Sequence, residues 1–407
     1  MGYRYAIIGA GRQGLSAAYD LARFGSAEEI LLCDLKLETA QKGVEKLRAQ
    51  LSQDLFIPVS LDAVNLNQLQ NALKGVDSAI SAVPFTFNLG ITKAAIECNT
   101  NLCDLGGHTE TVLKQLALDE PAKSSGITIV PDCGMGPGLN ISLGVLAMSF
   151  LEKPINLFIW DGGLPLNPVP PWNYISTFHI NGLTNEYEGP AWFIRDGRPI
   201  QVPCLSEVEE LDFPSPLGRL EAAVTSGGLS TAPWTFAGKL QRLENKTLRY
   251  PGHWQTFQAF QQLGLFEQTP VEIKDGSFVP RETFHALLQP KIAGDQVHDI
   301  CVIRVRCEGE SNGKTAVCTL DLCETYDEET GLTAMEKFTG WHASMVAILS
   351  AQNKLPKGAV PIEKALSGPL LMQETEKRKW TIKNNTLWYC DDRKPIGILD
   401  VSMEPDF

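Results

Sequence analysis

A strand-like run, Tyr5-Ala6-Ile7-Ile8, is followed at once by Gly9-Ala10-Gly11-Arg12-Gln13-Gly14 and then by a helical pattern. Glycines at this spacing suit phosphate chemistry. The first makes a tight turn, the second leaves backbone bare where a pyrophosphate must approach, and the third lets the helix pack closely on the strand. A pyrophosphate then rests at the positive end of that helix, beside Arg12 and Gln13. Asp34 closes the second strand-like run twenty residues after Gly14, where a carboxylate accepts hydrogen bonds from the adenosine ribose. The same charge repels the extra phosphate of NADP. Leu35 follows in place of an arginine able to hold that phosphate, and Lys36 pulls only weakly the other way. The pattern predicts a nicotinamide dinucleotide cofactor, NAD in preference to NADP.

Further groups lie where strand patterns end. Ser81-Ala82-Val83-Pro84 closes the fourth strand pattern and Cys103-Asp104-Leu105-Gly106-Gly107-His108 the fifth. Such ends border the ligand crevice of a doubly wound sheet, so Ala82, Val83, Pro84, Asp104 and Gly106 are expected against the cofactor. Asp104 or His108 is a candidate to face the nicotinamide; the alternative for Asp104 is to cap the helix beginning near Thr109 or to order the loop. In the second half of the chain, Thr225-Ser226-Gly227-Gly228 and Thr247-Leu248-Arg249-Tyr250-Pro251-Gly252-His253 stand out. A guanidinium offers a planar fork to a carboxylate, so Arg249 can hold an amino-acid substrate, with His253 or Tyr250 available for proton transfer. Their alternatives are a surface ion pair for Arg249 and core packing for the other two.

These groups need a scaffold, and the first 133 residues supply one. Strand patterns at Tyr5 to Ile8, Ile30 to Cys33, Ile57 to Leu61, Ser78 to Val83, Asn101 to Leu105 and Ile127 to Pro131 alternate with amphipathic helical patterns such as Leu37, Ala40, Val44, Leu47 and Leu51. Gly25, Gly75 and Gly126 fall at the helix ends, where a left-handed cap is expected. The fold class is α/β: a Rossmann doubly wound parallel sheet at residues 1–133, plus a second α+β domain for substrate and dimerisation at 134–332. Gly134, Gly136, Pro137 and Gly138 mark the junction ahead of a helical pattern from Leu139 to Leu151. Ile300 to Cys307 and Thr315 to Leu322 form an expected hairpin across Ser311-Asn312-Gly313. Thr333 to Ser350 reads as one long helix within a C-terminal segment, 333–378, expected to return to the first domain. Residues 379–407 form a strand-rich extension to which no role is assigned.

Composition narrows the partners. The formal net charge of -13 disfavours nucleic acid and anionic membrane, both of which call for a basic surface. No run is apolar enough to span a bilayer, and the absence of an export pattern at the N-terminus points to the cytoplasm. Ten cysteines are scattered through apolar runs without a C-x-x-C pair, so free buried thiols and no metal site are expected. A small molecule is the expected partner.

Several long motifs in order, DLGGH (104–108), IVPDCGMGPG (129–138), GPAWFIRDG (189–197), PCLSEVE (203–209), TSGG (225–228) and TLRYPGH (247–253), resemble the saccharopine dehydrogenase-like family. The resemblance runs from the glycine fingerprint to about residue 378; Cys133 within the DxGxxPG segment and the extension after about 380 depart from it. It implies an NAD(P)-dependent oxidoreductase acting on CH-NH2 or CH-NH donors, C-terminal helices that return to the first domain, and a homodimer or larger homo-oligomer. The motifs are most similar to those of members that oxidise the terminal amine of L-lysine to the semialdehyde. The alternative is a saccharopine- or carboxyspermidine-type dehydrogenase acting on a secondary amine. The resemblance places substrate between DLGGH and the TSGG and TLRYPGH segments: Arg249 on its carboxylate with Thr225 and Ser226 nearby, His253, His108 or Tyr250 handling the proton, and Asp104 orienting substrate or base. A reading from another class, an NAD-binding redox sensor or scaffold, is separated by whether the cleft around Arg249 is polar or blocked.

Overall fold

The structure, a computed structural model, describes residues 2–177, 180–294, 297–389 and 395–399, with 385–389 and 395–399 as backbone only. Its first layer is a parallel sheet built from β1 (Tyr3–Ile8), β2 (Ala27–Asp34), β3 (Phe56–Ser60), β4 (Ser78–Ser81), β5 (Asn101–Asp104) and β6 (Thr128–Val130) in the order β3-β2-β1-β4-β5-β6. Tyr5, Ala6, Ile7 and Ile8 are buried without alternation, because helices cover both faces of a parallel sheet. Each expected strand is present, with ends shifted by a few residues. The helix Arg12–Phe24 turns Gly14, Ala17, Ala18 and Leu21 inward, the three- and four-residue spacing that gives a helix one apolar face.

One cap differs from expectation. Gly75 and Gly126 have φ of 73° and 68°, but Gly25 has φ of -85° and the left-handed residue is Ser26 at 48°. Gly25 is small for a different reason: a Cβ there would lie 2.5 Å from the Leu21 carbonyl oxygen and 3.2 Å from the Tyr5 ring.

The second layer is a mixed sheet. Its long strand β7 (Lys153–Pro165) lies between β12 (Arg242–Arg249), which runs parallel to it, and β15 (Asp299–Ser311), which runs antiparallel. The hairpin β8 (Pro190–Arg195) and β9 (Arg198–Pro203) branches from β12, and β10 (Glu209–Asp212) and β11 (Arg219–Val224) extend the sheet beyond it. A separate small ribbon pairs β13 (Val271–Ile273) with β14 (Gly276–Phe278). β15 turns into β16 (Lys314–Thr325) with Ser311 opposite Lys314. The two turn residues, Asn312 and Gly313, have φ of 51° and 70°, the mirror-image turn whose twist matches a hairpin. The helix Leu139–Ser149 follows the Gly-Pro junction, and its apolar residues Leu139, Ile141 and Leu143 join the same core as Leu157 and Ile159 of β7.

The chain then returns to the first layer. Instead of one regular helix from Thr333 to Ser350, it forms a capped turn at Ala334–Glu336, a π-helical stretch at Lys337–Trp341 and an α-helix at His342–Ala351. Close packing accompanies the irregularity. A Cβ on Gly340 would lie 2.8 Å from both the Gln13 carbonyl oxygen and the Ala17 amide nitrogen, and Ser16 Oγ donates to the Glu336 carbonyl at 2.7 Å. Strand β17 (Gly358–Ala359) pairs in parallel with β6, giving the first sheet seven strands. Buried Arg378 closes the segment on Asp20 of the first helix, Nη2 to Oδ2 at 2.5 Å. In the extension, β18 (Ile382–Tyr389) pairs with β16 and with β19 (Pro395–Leu399); Cys390 and residues 400–407 lie outside the described residues.

Candidate functional site

At the nucleotide end, each fingerprint glycine has a separate steric reason. Gly9 has φ of 109°, and a Cβ on it would lie 2.6 Å from the Ala82 carbonyl oxygen. On Gly14 the Cβ would fall 1.9 Å from the Gly9 carbonyl oxygen, whereas on Gly11 it would meet nothing within 4 Å. The second glycine therefore fronts open space, as pyrophosphate contact requires. Asp34 is held at the rim, Oδ2 accepting from Ala10 N and Oδ1 from Lys36 N, each at 3.1 Å; Leu35 beside it is 65% exposed. Gln13 lines the adjoining cleft, and its buried Oε1 has no hydrogen-bond partner among the described residues. The residues present fit a dinucleotide.

The cleft, about 1090 Å³, runs from the ends of β4 and β5 to the second sheet. Val83, Pro84, Gly106 and the junction residues Gly134 to Pro137 line one side, and Asp161, Ser226, Thr247 and Arg249 the other. Strand register builds the far wall. Thr247 of β12 lies beside Asp161 of β7, and alternation along β12 puts Asn245, Thr247 and Arg249 on one face. Asn245 Nδ2 donates to Asp161 Oδ1 at 3.1 Å and Asn140 Nδ2 to Asp161 Oδ2 at 2.9 Å. A Cβ on Gly136 would lie 2.5 Å from Asp161 Oδ2, and one on Gly228 would lie 1.9 Å from Asn245 Oδ1. The bare backbone of the junction and of the TSGG turn is what lets this cage close.

Arg249 is 3% exposed. Its Nε donates to Tyr187 Oη at 3.2 Å and its Nη1 to the Leu248 carbonyl at 2.9 Å, while Nη2 reaches Glu186 Oε2 only at 3.9 Å. The guanidinium also lies 5.2 Å from the Tyr174 ring centroid, a cation–π contact. Burial raises Asp161 to about 6, against the lowering pull of Asn245, Arg249 and Asn140. Glu186 is pushed up to about 7 by burial, with Arg249 opposing and Asp161 adding to the rise; its side chain is still 32% exposed, and water entering from the cleft tempers that shift.

Of the residues expected from sequence, Gln13, Val83, Pro84, Gly106, Ser226 and Arg249 line the cleft. Ser226 Oγ donates to the Asn185 carbonyl at 2.8 Å, and Thr225 lies buried behind, its Oγ1 2.6 Å from Thr247 Oγ1. Ala82 abuts Gly9. None of the proton-handling candidates is itself among the residues that line the cleft. Asp104 is fully buried, with Oδ1 accepting from Gly106 N at 2.8 Å and Oδ2 from Gln115 Nε2 at 2.7 Å, so it orders the loop; burial raises its carboxyl. His108 caps the helix Thr109–Leu116: Nδ1 accepts from Thr111 N at 3.3 Å while the ring stacks on Phe85 at 4.4 Å. Of the two alternatives for Asp104, cap or loop, the cap is made by His108. His253 lies behind Arg249, with Nε2 2.8 Å from Tyr187 Oη and its ring stacked on Phe257; burial, then Arg249, lower its pKa well below the usual imidazole value. Tyr250 donates to the Pro165 carbonyl at 3.1 Å inside an apolar cluster. His253 and Tyr250 are buried, one behind Arg249 and the other in an apolar cluster, whereas His108 is partly exposed, with Nδ1 on the cap and its ring against Phe85, which lines the cleft.

Asp161, Glu186 and Asp132 are carboxylates that the sequence reading passed over. Asp132 has φ of 61° and is raised to about 7 by burial first and Asp104 second. It accepts from Ser230 Oγ, joining the two layers, and a Cβ on Gly106 would fall 1.9 Å from its Oδ1. The signal for Asp161 was an acid followed by two glycines directly after an apolar run, which resembles a turn.

Comparison with known proteins decides the family. The saccharopine dehydrogenase NADP binding domain matches residues 5–130, and the saccharopine dehydrogenase C-terminal domain matches 143–379. The chain belongs to the saccharopine dehydrogenase family. Relatives include the mitochondrial alpha-aminoadipic semialdehyde synthase of Mus musculus, 25% identical over 231 residues, covering 54% of this chain and 24% of that one. Another is the saccharopine dehydrogenase [NADP(+), L-glutamate-forming] of Pyricularia oryzae, 25% identical over 151 residues, 36% of this chain and 33% of that one. The matched stretches thus span a quarter to a third of these relatives. Apo saccharopine dehydrogenase (L-Glu forming) from Saccharomyces cerevisiae superposes with a TM-score of 0.76 at 16% identity, over 95% of this chain and 100% of that one. The saccharopine dehydrogenase fold therefore extends through both layers. Among the described residues, no helix is long and apolar enough to cross a membrane.

Proposed function

We propose that this member of the saccharopine dehydrogenase family is an NAD-dependent oxidoreductase that oxidises the terminal amine-bearing carbon of L-lysine, which hydrolysis then turns into the semialdehyde and ammonia. The observation that carries the reading is the charge pattern of the cleft. Two guanidiniums line it, those of Arg249 and Arg281, together with the carboxylates Asp161, Glu186 and Glu282. Arg281 is committed: Nε donates to the Phe266 carbonyl at 2.8 Å, Nη1 to Asn185 Oδ1 at 3.2 Å, and Nη2 pairs with Glu188. Arg249 alone keeps an edge for a ligand. Lysine brings one carboxylate and two amines, which suits one open fork among acids; saccharopine brings three carboxylates, two of which would meet acids instead of partners.

Arg249 holds the substrate carboxylate, and the bare backbone of Gly134 and Gly136 lets the amine-bearing carbon approach the nicotinamide face of the cleft. The nicotinamide, when bound, supplies the hydride acceptor. Asp34 with Leu35 favours NAD, by charge, although the matched family model is named for NADP. A polar cleft around Arg249 supports turnover over a sensor role. The relatives' names favour a second reading, oxidation of a secondary amine as in saccharopine. Initial rates of nicotinamide reduction with lysine and saccharopine, each with NAD and NADP, separate these. Lysine with NAD is expected to give the highest kcat/KM; a higher value for saccharopine refutes the substrate assignment, and a higher value for NADP refutes the cofactor assignment.

A further inference from the structure

We infer that Asp161 is the catalytic base, the group that takes the proton from the substrate amine before hydride leaves its carbon. This rests on the reading that the cleft oxidises an amine, and it reassigns the proton step to a residue that no sequence motif marked.

The geometry is selective. Asp161 sits on β7 at the wall of the cleft, 6% exposed, opposite the junction loop that faces the nucleotide end. Gly162 and Gly163 follow it without side chains to cover it, and both are forced to be small: a Cβ would lie 2.5 Å from the Leu248 carbonyl oxygen in one case and 2.6 Å from the Met335 methyl carbon in the other. Each carboxylate oxygen receives one amide donor, from Asn245 and from Asn140. Those amides are themselves anchored, Asn245 Nδ2 to the Ile159 carbonyl and Asn140 Nδ2 to the Gly228 carbonyl. A carboxylate oxygen has two lone-pair positions, so the cage fixes the group and leaves it basic. A base needs both properties: fixed direction and an unspent lone pair.

Its charged neighbours are Arg249 on β12 and Glu186 on the helix Ile180–Glu186. The junction loop and the returning helix present Gly136, Pro137, Met335 and Thr339 to the cleft, all uncharged. Glu186 lies beside Nη2 of Arg249 and is partly open to water; it is better placed to pair with the α-ammonium next to the carboxylate that Arg249 holds. Glu282 lies exposed in the first turn of the helix Pro280–Ile292, so Asp161, buried and beside the junction, is the acid left for the reacting amine.

The step balances. The terminal ammonium gives one proton to Asp161 and becomes a neutral amine. The nitrogen lone pair then forms the C=N bond as the C–H pair leaves as hydride to the nicotinamide, so carbon is oxidised by two electrons and the cofactor reduced by two. Water adds to the iminium carbon, C–N breaks, and ammonium leaves with the aldehyde. Asp161 returns its proton to solvent. Because burial raises its pKa to about 6, it is ionised and competent above that value, and the rate falls as pH drops through it.

The test compares Asp161→Asn and Glu186→Gln with the wild type. Profiles of kcat/KM against pH are combined with calorimetry of NAD and lysine binding. Asp161→Asn is expected to lose on the order of 10²- to 10⁴-fold in kcat and to lose the acid limb near pH 6, while binding NAD as the wild type does and lysine within several-fold. Glu186→Gln is expected to keep that limb and to raise KM. The wild-type limb itself is a reading that needs no variant, so a variant that fails to bind NAD does not shelter the inference: a wild-type kcat/KM that is flat from pH 5 to 8 overturns it. It is also overturned if Asp161→Asn keeps kcat within threefold, or if Glu186→Gln removes the limb. If lysine is inert and saccharopine is oxidised, the substrate reading fails and the same comparison on saccharopine decides the base. A wild type inert to both with either cofactor refutes both.

Discussion

Arg249→Ala should uncouple recognition of the carboxylate from binding of the cofactor. A guanidinium carries five N–H donors; here Nε serves Tyr187 and one Nη1 proton serves Leu248, leaving three for the cleft. Two of these suffice for a bidentate carboxylate contact at a site 3% exposed. Truncation leaves the substrate carboxylate desolvated against Glu186 and Asp161, which turns attraction into repulsion. Loss of one partner of a buried charged pair costs about 2–5 kcal/mol, or roughly 30- to 4000-fold in kcat/KM at about 1.4 kcal/mol per tenfold. Arg249→Lys keeps charge without the fork and should recover part of the loss. The assay is kcat/KM for lysine against cadaverine, which lacks the carboxylate. Wild type should prefer lysine, and Arg249→Ala should lose most of that preference while NAD affinity, measured by calorimetry, stays near wild type. Removing the cation also removes the pull that lowers Asp161, so the acid limb should move to higher pH. Undiminished discrimination between the two amines would place the carboxylate elsewhere and refute the reasoning.

Other perturbations follow from single contacts. Asp34→Ser with Leu35→Arg removes a repelling charge and adds a phosphate fork, so the ratio of kcat/KM for NADP over NAD should rise; an unchanged ratio would show that selection lies outside this rim. A Cβ on Gly11 would meet no atom within 4 Å, so Gly11→Val should leave thermal unfolding near wild type while abolishing NAD binding by calorimetry, whereas Gly14→Val, aimed at the Gly9 carbonyl, should lower Tm. Asp132 carries a folded-state pKa of about 7, above the usual carboxylate value, so its contribution favours the fold at low pH and is lost as pH rises towards 7. Asp132→Asn, which tolerates the left-handed backbone, should therefore flatten the decline of stability between pH 4 and 7, by up to about 4 kcal/mol; parallel wild-type and variant profiles in denaturant titrations would exclude a buried ionising group here.

Local signals made the first layer legible. Apolar runs such as Tyr5 to Ile8 and Ile30 to Cys33 are strands buried on both faces, and the fingerprint glycines act on atoms close in sequence or on the adjoining strand end. The hairpin at Asn312-Gly313 was legible for the same reason. The helix from Thr333 was only partly so. Its cap and apolar spacing are local, but its π-helical stretch accompanies the fit of Gly340 against Gln13 and Ala17, more than 320 residues away in sequence, and no spacing within the segment reports that approach.

The site in the second layer was obscured by a different cause. Arg249 could be singled out because a guanidinium offers a planar fork to a carboxylate and because it stands in the TLRYPGH motif. Asp161 could not, because what makes it a base is supplied by Asn140 and Asn245, brought to it by a helix start and a neighbouring strand. The setting of His253 is hidden from the sequence for a related reason: imidazole chemistry at neutral pH depends on exposure, and burial lowers the pKa of His253 well below the usual imidazole value where it bonds to Tyr187 behind Arg249. Ionisable side chains in this fold thus act according to the layer they face. Arg249 on β12 and Asp161 one strand away meet the cleft, whereas Asp104 of DLGGH turns inward to hold the loop. Parity along a strand is readable once the strand is known, but the motif at 247–253 does not by itself declare an element. Assigning Arg242–Arg249 as β12 is the step that converts Asn245, Thr247 and Arg249 from scattered polar residues into one wall of a site.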